Sequence, residues 1–136
     1  MCNNINQLTS LGFEQIGEWK LQNNKPKYTV PTIYQTKEDL LYIFTCNDCV
    51  RYIGFTTQPF KKRMYGYQNP GTSQKTNKRV KQKIETCLKN YGKVRIYIFD
   101  RRHCVGTYQV SLGAGLEKHL INRFAGDLWN IQHNTE

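Results

Sequence analysis

The chain has 136 residues and a formal net charge of +10, from 20 basic and 10 acidic residues. This length supports one modest hydrophobic core, so we expect a single domain over residues 1–136. No apolar run reaches the roughly 18 residues of a membrane span, and the start, MCNNINQLTS, lacks the features of a signal peptide. We therefore expect a cytoplasmic protein with no membrane partner, and the positive charge predicts a polyanionic partner.

The first predicted elements are two β-hairpins. Segment 16–33, IGEWKLQNNKPKYTVPTI, has two strand-like runs on either side of the turn signal NNKP. Segments 40–45 (LLYIFT) and 50–55 (VRYIGF) are rich in β-branched and aromatic residues, and Asn47 and Asp48 between them suit a tight turn. Because LLYIF is apolar on both faces, we expect the second hairpin to be central.

The following elements are mainly helical. Pro59 predicts the start of a short helix in PFKKRMYGY, and a polar loop follows at 69–77. From residue 78 to 90 the apolar residues have helical spacing, and Gly92 provides a stop signal. After these come a third strand (93–100), an irregular segment (101–113), a last helix (114–124) and the closing segment GDLWNIQH (126–133).

This order of elements predicts an α+β fold. We expect a small, mainly antiparallel, three-stranded central sheet flanked by helices. The N-terminal hairpin, about 1–36, would be an extension of a core that covers about 40–132.

A stretch of positive charge follows the second hairpin. Residues 61–83 contain eight basic side chains and no acidic one, and Tyr65 and Tyr67 lie among them. A solvated helix face would also be basic. The absence of any counter-charge favours contact with a nucleic acid backbone, which basic and aromatic side chains suit.

The five cysteines, an odd number, predict no disulfide framework in a chain without an export signal. The pair Cys46 and Cys49 has Cys-x-x-Cys spacing, but a structural zinc needs four ligands and no second Cys/His pair has ordinary spacing. A thioredoxin-like motif would open a helix, whereas this pair lies between strands. We therefore expect neither a zinc site nor a redox site there.

The segment LYIFTCNDCVRYIGFTTQPFKKR (41–63) and two later residues form a spaced pattern. Nine residues separate Tyr42 from an intact Tyr-Ile-Gly at 52–54, and Arg63 follows Gly54 by nine positions. Glu117 lies on the last predicted helix, and Asn130 lies near the end. This pattern resembles the GIY-YIG nuclease family, most closely the endonuclease II group of T-even bacteriophages and the GIY-YIG type II restriction enzymes. Tyr42 is matched by spacing, because Leu40-Leu41-Tyr42 lacks the glycine of the usual triplet.

The resemblance implies a metal-dependent endonuclease that hydrolyses the phosphodiester bonds of double-stranded DNA, using Mg²⁺ or Mn²⁺. It also implies a homo-oligomer, a dimer or tetramer, in a bacterial cell, whether the gene is bacterial or carried by a phage. A non-catalytic nucleic-acid-binding module on the same fold is the alternative, and the intact site residues favour the enzyme. The implied catalytic residues are Tyr42, Tyr52, Arg63, Glu117 and Asn130.

Each catalytic residue has an implied role. Glu117 is the metal ligand, and Arg63 offers a charged fork to phosphate. Tyr42 is a general base or water positioner, provided that nearby cations lower its pKa, and Tyr52 supports the phosphate; which tyrosine has which role stays open. Asn130 would orient Glu117 or a tyrosine.

We further expect a set of residues to bind the DNA. A glycine at 54 would let the DNA approach the backbone closely. A lysine of the N-terminal hairpin would complete the site. The predicted substrate-binding residues are Gly54, Lys20, Lys61, Lys62, Lys75, Lys78, Arg79 and Lys81.

Overall fold

A computed structural model of the chain describes residues 2–130. The fold is α+β, as predicted, with strands β1 (Glu14–Gln22), β2 (Lys25–Thr29), β3 (Leu40–Cys46), β4 (Cys49–Thr56), β5 (Val94–Phe99), β6 (Arg102–Val105) and β7 (Tyr108–Ser111). The helices are α1 (Asn6–Thr9), α2 (Thr32–Gln35), α3 (Phe60–Gln68), α4 (Lys75–Lys89) and α5 (Leu112–Phe124), followed by a 3₁₀ turn (Ala125–Asp127). No helix among the described residues has the length and apolar character that crossing a bilayer requires.

The central sheet has five antiparallel strands in the order β2-β1-β5-β3-β4. The prediction of three strands is therefore wrong. The N-terminal hairpin is part of the sheet rather than an appendage, because β1 pairs with β5 from Glu14 opposite Ile98 to Trp19 opposite Val94. Strands that lie some 80 positions apart leave no local signal of their pairing in the sequence.

Both predicted hairpins are confirmed, and each has a two-residue turn. Asn23 and Asn24 have φ values of 53° and 65°, and Asn47 and Asp48 have values of 52° and 67°. Asparagine and aspartate tolerate the left-handed backbone that such turns require, and its twist matches the strands on either side.

The helices agree with the prediction except at their ends. α4 begins at Lys75, three positions before the predicted start. After α4 the left-handed residue is Tyr91, with φ 63°, rather than Gly92. Gly92 is needed for close packing, since a Cβ there would lie 2.8 Å from the Cys87 carbonyl oxygen. The segment 101–113, predicted to be irregular, contains the exposed hairpin β6–β7, and residues 131–133 of the closing segment lie outside the described part.

Helices cover both faces of the sheet, and each face has its own hydrophobic core. On one face α3 and α4 pack against the strands through Met64 and Ile84, together with Phe44. On the other face α5 contributes Leu120 and Phe124. Residues 40–45 of β3 are buried throughout, and β3 is an inner strand, but β4 is an outer strand, so only half of the second hairpin is central as predicted.

The two outer strands have their outward-facing backbone groups occupied or removed. On β2, Pro26 has no N–H, and the Tyr28 N–H donates to Gln68 Oε1 at 3.3 Å. On β4, the carbonyl oxygen of Arg51 accepts from the Trp129 N–H at 2.5 Å. Neither edge of the sheet therefore presents an uninterrupted row of free backbone N–H and C=O groups.

The prediction of no disulfides is wrong. Cys2 is bonded to Cys49 and Cys46 to Cys87, while Cys104 is free and exposed. The β3–β4 turn lies between the N-terminal segment and α4. Cys49 therefore lies beside Cys2, and Cys46 lies beside Cys87, although each pair is far apart in the sequence. The number of cysteines in a sequence says nothing about such proximity in the folded chain.

Candidate active site

Three tyrosine hydroxyls form a hydrogen-bonded chain at the centre of the α3/α4 face. β3 supplies Tyr42, β4 supplies Tyr52 and α3 supplies Tyr67; we call these three residues the tyrosine cluster. The Tyr42 and Tyr67 hydroxyl oxygens lie 2.5 Å apart, and the Tyr67 hydroxyl donates to the Tyr52 hydroxyl at 2.9 Å. Because the single Tyr67 proton points to Tyr52, Tyr42 must donate to Tyr67, and the Tyr52 proton is left for a further acceptor.

Arg63 holds one end of this chain. Its Nε donates to the Tyr42 hydroxyl oxygen at 3.1 Å, and its guanidinium carbon lies 4.8 Å from the centre of the Tyr67 ring. Arg63 and Tyr67 are four positions apart on α3 and so lie on the same side of the helix. The direction of donation therefore runs from Arg63 through Tyr42 and Tyr67 to Tyr52.

Burial keeps two of these phenols protonated. Loss of solvent raises the pKa of Tyr42, and the neighbouring Tyr52 raises it further, while the Arg63 charge only partly opposes this. Burial also raises the pKa of Tyr67 well above its ordinary value. The condition for a base role of Tyr42, a pKa lowered by nearby cations, is not met here, because burial outweighs the charge of Arg63.

Gly54 provides the space that the Tyr42 ring occupies. The two residues are cross-strand partners in the β3–β4 ladder. A Cβ at position 54 would lie 2.5 Å from both the hydroxyl oxygen and the adjacent ring carbon of Tyr42. The structure thus gives Gly54 a packing role, which differs from the predicted close approach of DNA.

Glu117 lies across the β4 edge from the tyrosine cluster, on α5. Burial raises the pKa of its half-buried carboxyl group, although the nearby Phe55 backbone N–H and the positive charge of Arg63 both act to lower it. The positive charge of Arg63 thus acts on Glu117 as well as on the tyrosine cluster, although the two residues form no ion pair. Among residues 2–130, no three His, Cys, Asp or Glu side chains gather as a ready metal site.

Asn130 pairs with backbone rather than with another predicted site residue. Its Nδ2 donates to the Ile53 carbonyl oxygen at 2.5 Å, and its Oδ1 accepts from the Ile53 N–H at 2.9 Å. The expected bond to Glu117 or to a tyrosine is replaced by this two-point contact, because the C-terminal segment runs along β4. Asn130 thus fixes the strand residue between Tyr52 and Gly54.

Arg79, which was predicted to bind DNA, bonds to the backbone of the C-terminal segment. Its Nε donates to the Trp129 carbonyl oxygen at 3.2 Å, and its Nη2 donates to the Asn130 carbonyl oxygen at 2.9 Å. These two donors are used inside the protein. Arg79 therefore holds the C-terminal segment, and through it Asn130, against β4.

The predicted lysines divide into three groups. Lys61 and Lys62 are exposed beside Arg63 and line a groove of about 690 Å³, which we call the main groove. Lys75 is exposed at the start of α4, and Lys78 donates to the Thr72 carbonyl oxygen at 2.8 Å. Lys81 lines a second groove, which lies beside the N-terminal hairpin.

Lys20 is not at the site. Its neighbour Trp19 is buried on the α3/α4 face, and successive residues of a strand point to opposite faces. Lys20 therefore points away from the tyrosine cluster, and its ammonium group lies 3.4 Å from a Glu18 carboxylate oxygen.

Tyr67 is the site residue that the sequence interpretation missed. Its position within the basic stretch suggested base stacking, yet it is fully buried, whereas Tyr65 on the same helix is about half exposed. Its spacing of four positions from Arg63 was the available signal.

Two solved structures match this chain over most of its length. A variant of bacteriophage T4 EndoII has 24% identity and a TM-score of 0.65, over 88% of this chain and 93% of the other. The chain shares its fold. Restriction endonuclease HPY188I in complex with product DNA has 18% identity and a TM-score of 0.52, over 93% of this chain and 87% of the other. Neither a protein-family model nor a curated protein matches the sequence.

The predicted resemblance to the GIY-YIG nucleases, and to the phage and restriction endonucleases in particular, is confirmed at the level of the fold. The two matched structures, a phage EndoII and a restriction endonuclease, are of the two kinds that the sequence resembles most closely.

Proposed function

We propose that this chain is an endonuclease that hydrolyses double-stranded DNA with Mg²⁺ or Mn²⁺. The position of Arg63 supports the proposal most directly. This one guanidinium contacts the tyrosine cluster, its charge acts on the Glu117 carboxyl group, and it lines the main groove beside two exposed lysines. A phosphate at Arg63 would therefore meet hydroxyl donors and a carboxylate together.

Glu117 suits a single-carboxylate metal site. Mg²⁺ commonly keeps several waters and takes only one or two carboxylates together with substrate phosphates. The half-buried carboxyl group of Glu117, within the influence of the Arg63 charge, fits this donor set. When bound, the metal would neutralise charge on the reacting phosphate and lower the pKa of a bound water.

The remaining residues would bind and orient the substrate. Arg63 would hold a phosphate oxygen. Tyr52 ends the donor chain, so its hydroxyl would donate to the phosphate or to the attacking water. Tyr42 and Tyr67, which are protonated, would fix the orientation of Tyr52 rather than remove a proton. On this proposal Tyr52, rather than Tyr42, is the tyrosine that meets substrate.

The proposal includes a homo-oligomer, a dimer or tetramer. One site of this kind cuts one strand, so cutting both strands in one encounter needs two protomers. Light scattering at micromolar concentration that showed a monomer, both free and bound to DNA, would contradict this part.

Cleavage of a supercoiled plasmid tests the activity. We expect the wild-type protein to nick or linearise the plasmid with Mg²⁺ and to be inactive in EDTA. We expect Glu117→Ala to lose about a thousandfold or more in rate, as loss of a single critical electrostatic group can cause, while it binds DNA as well as wild type or better. The matched control is Glu85→Ala, which removes a helix glutamate paired with Lys89 and should cut normally.

Two outcomes would contradict the proposal. Robust Mg²⁺-dependent cleavage by folded Glu117→Ala would remove Glu117 from the site. Tight DNA binding by the wild-type protein without cleavage under any divalent metal would favour the non-catalytic binding module.

A further inference from the structure

A second groove continues the main groove towards the N-terminal hairpin. It encloses about 500 Å³ between the β1–β2 turn and the helices α3 and α4, and we call it the hairpin groove. Asn69, at the end of α3, lines both grooves. The main groove also reaches Tyr28 on β2, so the two spaces form one path along α3.

The hairpin groove is basic and polar. Its charged lining residues are Lys25 and Lys27 from β2 and Lys81 from α4, beside the amides of Gln22 and Gln68. Among the described residues that line either groove, none is acidic. Uncompensated ammonium groups along a continuous groove suit a polyanion with regularly spaced charges, which is the chemistry of a nucleic acid backbone.

We propose that the hairpin groove binds the phosphate backbone of the DNA on one side of the cleaved bond. The inference rests on the proposed function and assigns Lys25 and Lys27 as DNA contacts. α3 carries the path from Arg63 to Asn69, which is about 9 Å at 1.5 Å per residue. The hairpin lysines would therefore meet phosphates at least about three base pairs from the one at Arg63.

The N-terminal hairpin would then contribute to DNA binding, which its position at one end of the sheet allows. β2 is an outer strand, so residues along it can reach a ligand that lies beside the sheet. Lys20 and Lys27 are cross-strand partners and share one face of the hairpin, but Lys20 is paired with Glu18, and only Lys27 is on the outer strand and lines a groove. These contacts would position the duplex without reading its sequence.

The salt dependence of DNA binding tests the assignment. Affinity for a duplex of about 20 base pairs is measured in EDTA over a range of salt concentrations, so that no cleavage occurs. Each phosphate contact contributes about 0.9 to the slope of log affinity against log salt. We expect Lys25→Gln/Lys27→Gln to reduce the magnitude of the slope by about 1.8. The matched control, Lys89→Gln/Lys93→Gln, removes the same charge from residues that line neither groove and should keep the wild-type slope.

An unchanged slope for Lys25→Gln/Lys27→Gln, or an equal reduction in the control, would overturn the assignment. Its failure is separable from that of the proposed function, because plasmid cleavage is measured independently. A protein that binds with the expected slopes but never cuts would keep this site and lose the nuclease proposal. A wild-type protein without measurable duplex binding would overturn both.

Discussion

The tyrosine cluster and Glu117 lie on opposite sides of β4 and differ in how the fold holds them. The three phenols are buried, bonded to one another and packed by two helices. Glu117 is about half buried, and burial raises its carboxyl pKa rather than stabilising its charge. The cluster therefore contributes to the fold as well as to a site, whereas the carboxylate at Glu117 is held at a cost in stability. Substitutions in the tyrosine cluster should therefore lower stability as well as activity, whereas substitutions at Glu117 should lower activity without loss of stability.

The largest effect on stability is expected for Gly54→Ala. The new methyl group would overlap the Tyr42 ring, which cannot move because Arg63 and Tyr67 hold its hydroxyl. Overpacking of this kind costs about 3 kcal/mol, and urea denaturation would measure it. Gly115→Ala is the control, since nothing lies within 4 Å of its new methyl group in α5. That variant should gain about 0.5–1 kcal/mol from helix propensity. Equal stabilities for the two variants would contradict the packing role of Gly54.

A smaller loss is expected for Tyr67→Phe. This change removes the hydroxyl that joins Tyr42 to Tyr52 and leaves buried groups without their partner. Such a loss costs about 1–3 kcal/mol, and DNA cleavage should fall as Tyr52 loses its orientation. Tyr65→Phe on the same helix alters an exposed ring and should stay within about 0.5 kcal/mol of wild type. If Tyr67→Phe were as stable and active as Tyr65→Phe, the hydroxyl chain would have no role.

The smallest effect concerns pH and Glu117. A carboxyl group whose pKa is raised by folding binds its proton more tightly in the folded state, so stability falls as pH rises from the unfolded value of 4.5 through the folded value. Glu117→Gln should therefore be slightly more stable than wild type at neutral pH, and this difference should vanish below about pH 4. Cleavage by the wild-type protein should fall as pH drops through the raised pKa. Thermal unfolding at both pH values measures the first effect, and a Glu117→Gln protein less stable at neutral pH would contradict it.

Local signals in the sequence predict the hairpins well. Asn23, Asn24, Asn47 and Asp48 identify both turns, because few residues accept their backbone angles. Motif spacing also identifies Tyr42 and Gly54, which are cross-strand partners in the fold.

The failures all depend on contacts between distant segments. The pairing of β1 with β5, the two disulfides and the contact of Arg79 with the C-terminal segment have no local signal. The basic and aromatic composition of residues 61–83 also suggested that these side chains form a surface for nucleic acid. Arg79 and Tyr67 lie in a basic, tyrosine-containing stretch, yet both are used inside the protein. A residue's type gives its chemistry, but packing decides whether that chemistry faces solvent.

The closed edges of the central sheet limit how copies of this chain can associate. Pro26 and Gln68 leave β2 with little to offer an added strand, and Asn130 with Trp129 occupies the outward groups of β4. Open edges are where sheets from separate molecules join into fibrils or continuous ribbons. Addition of a strand from another copy is therefore disfavoured at both edges of the central sheet.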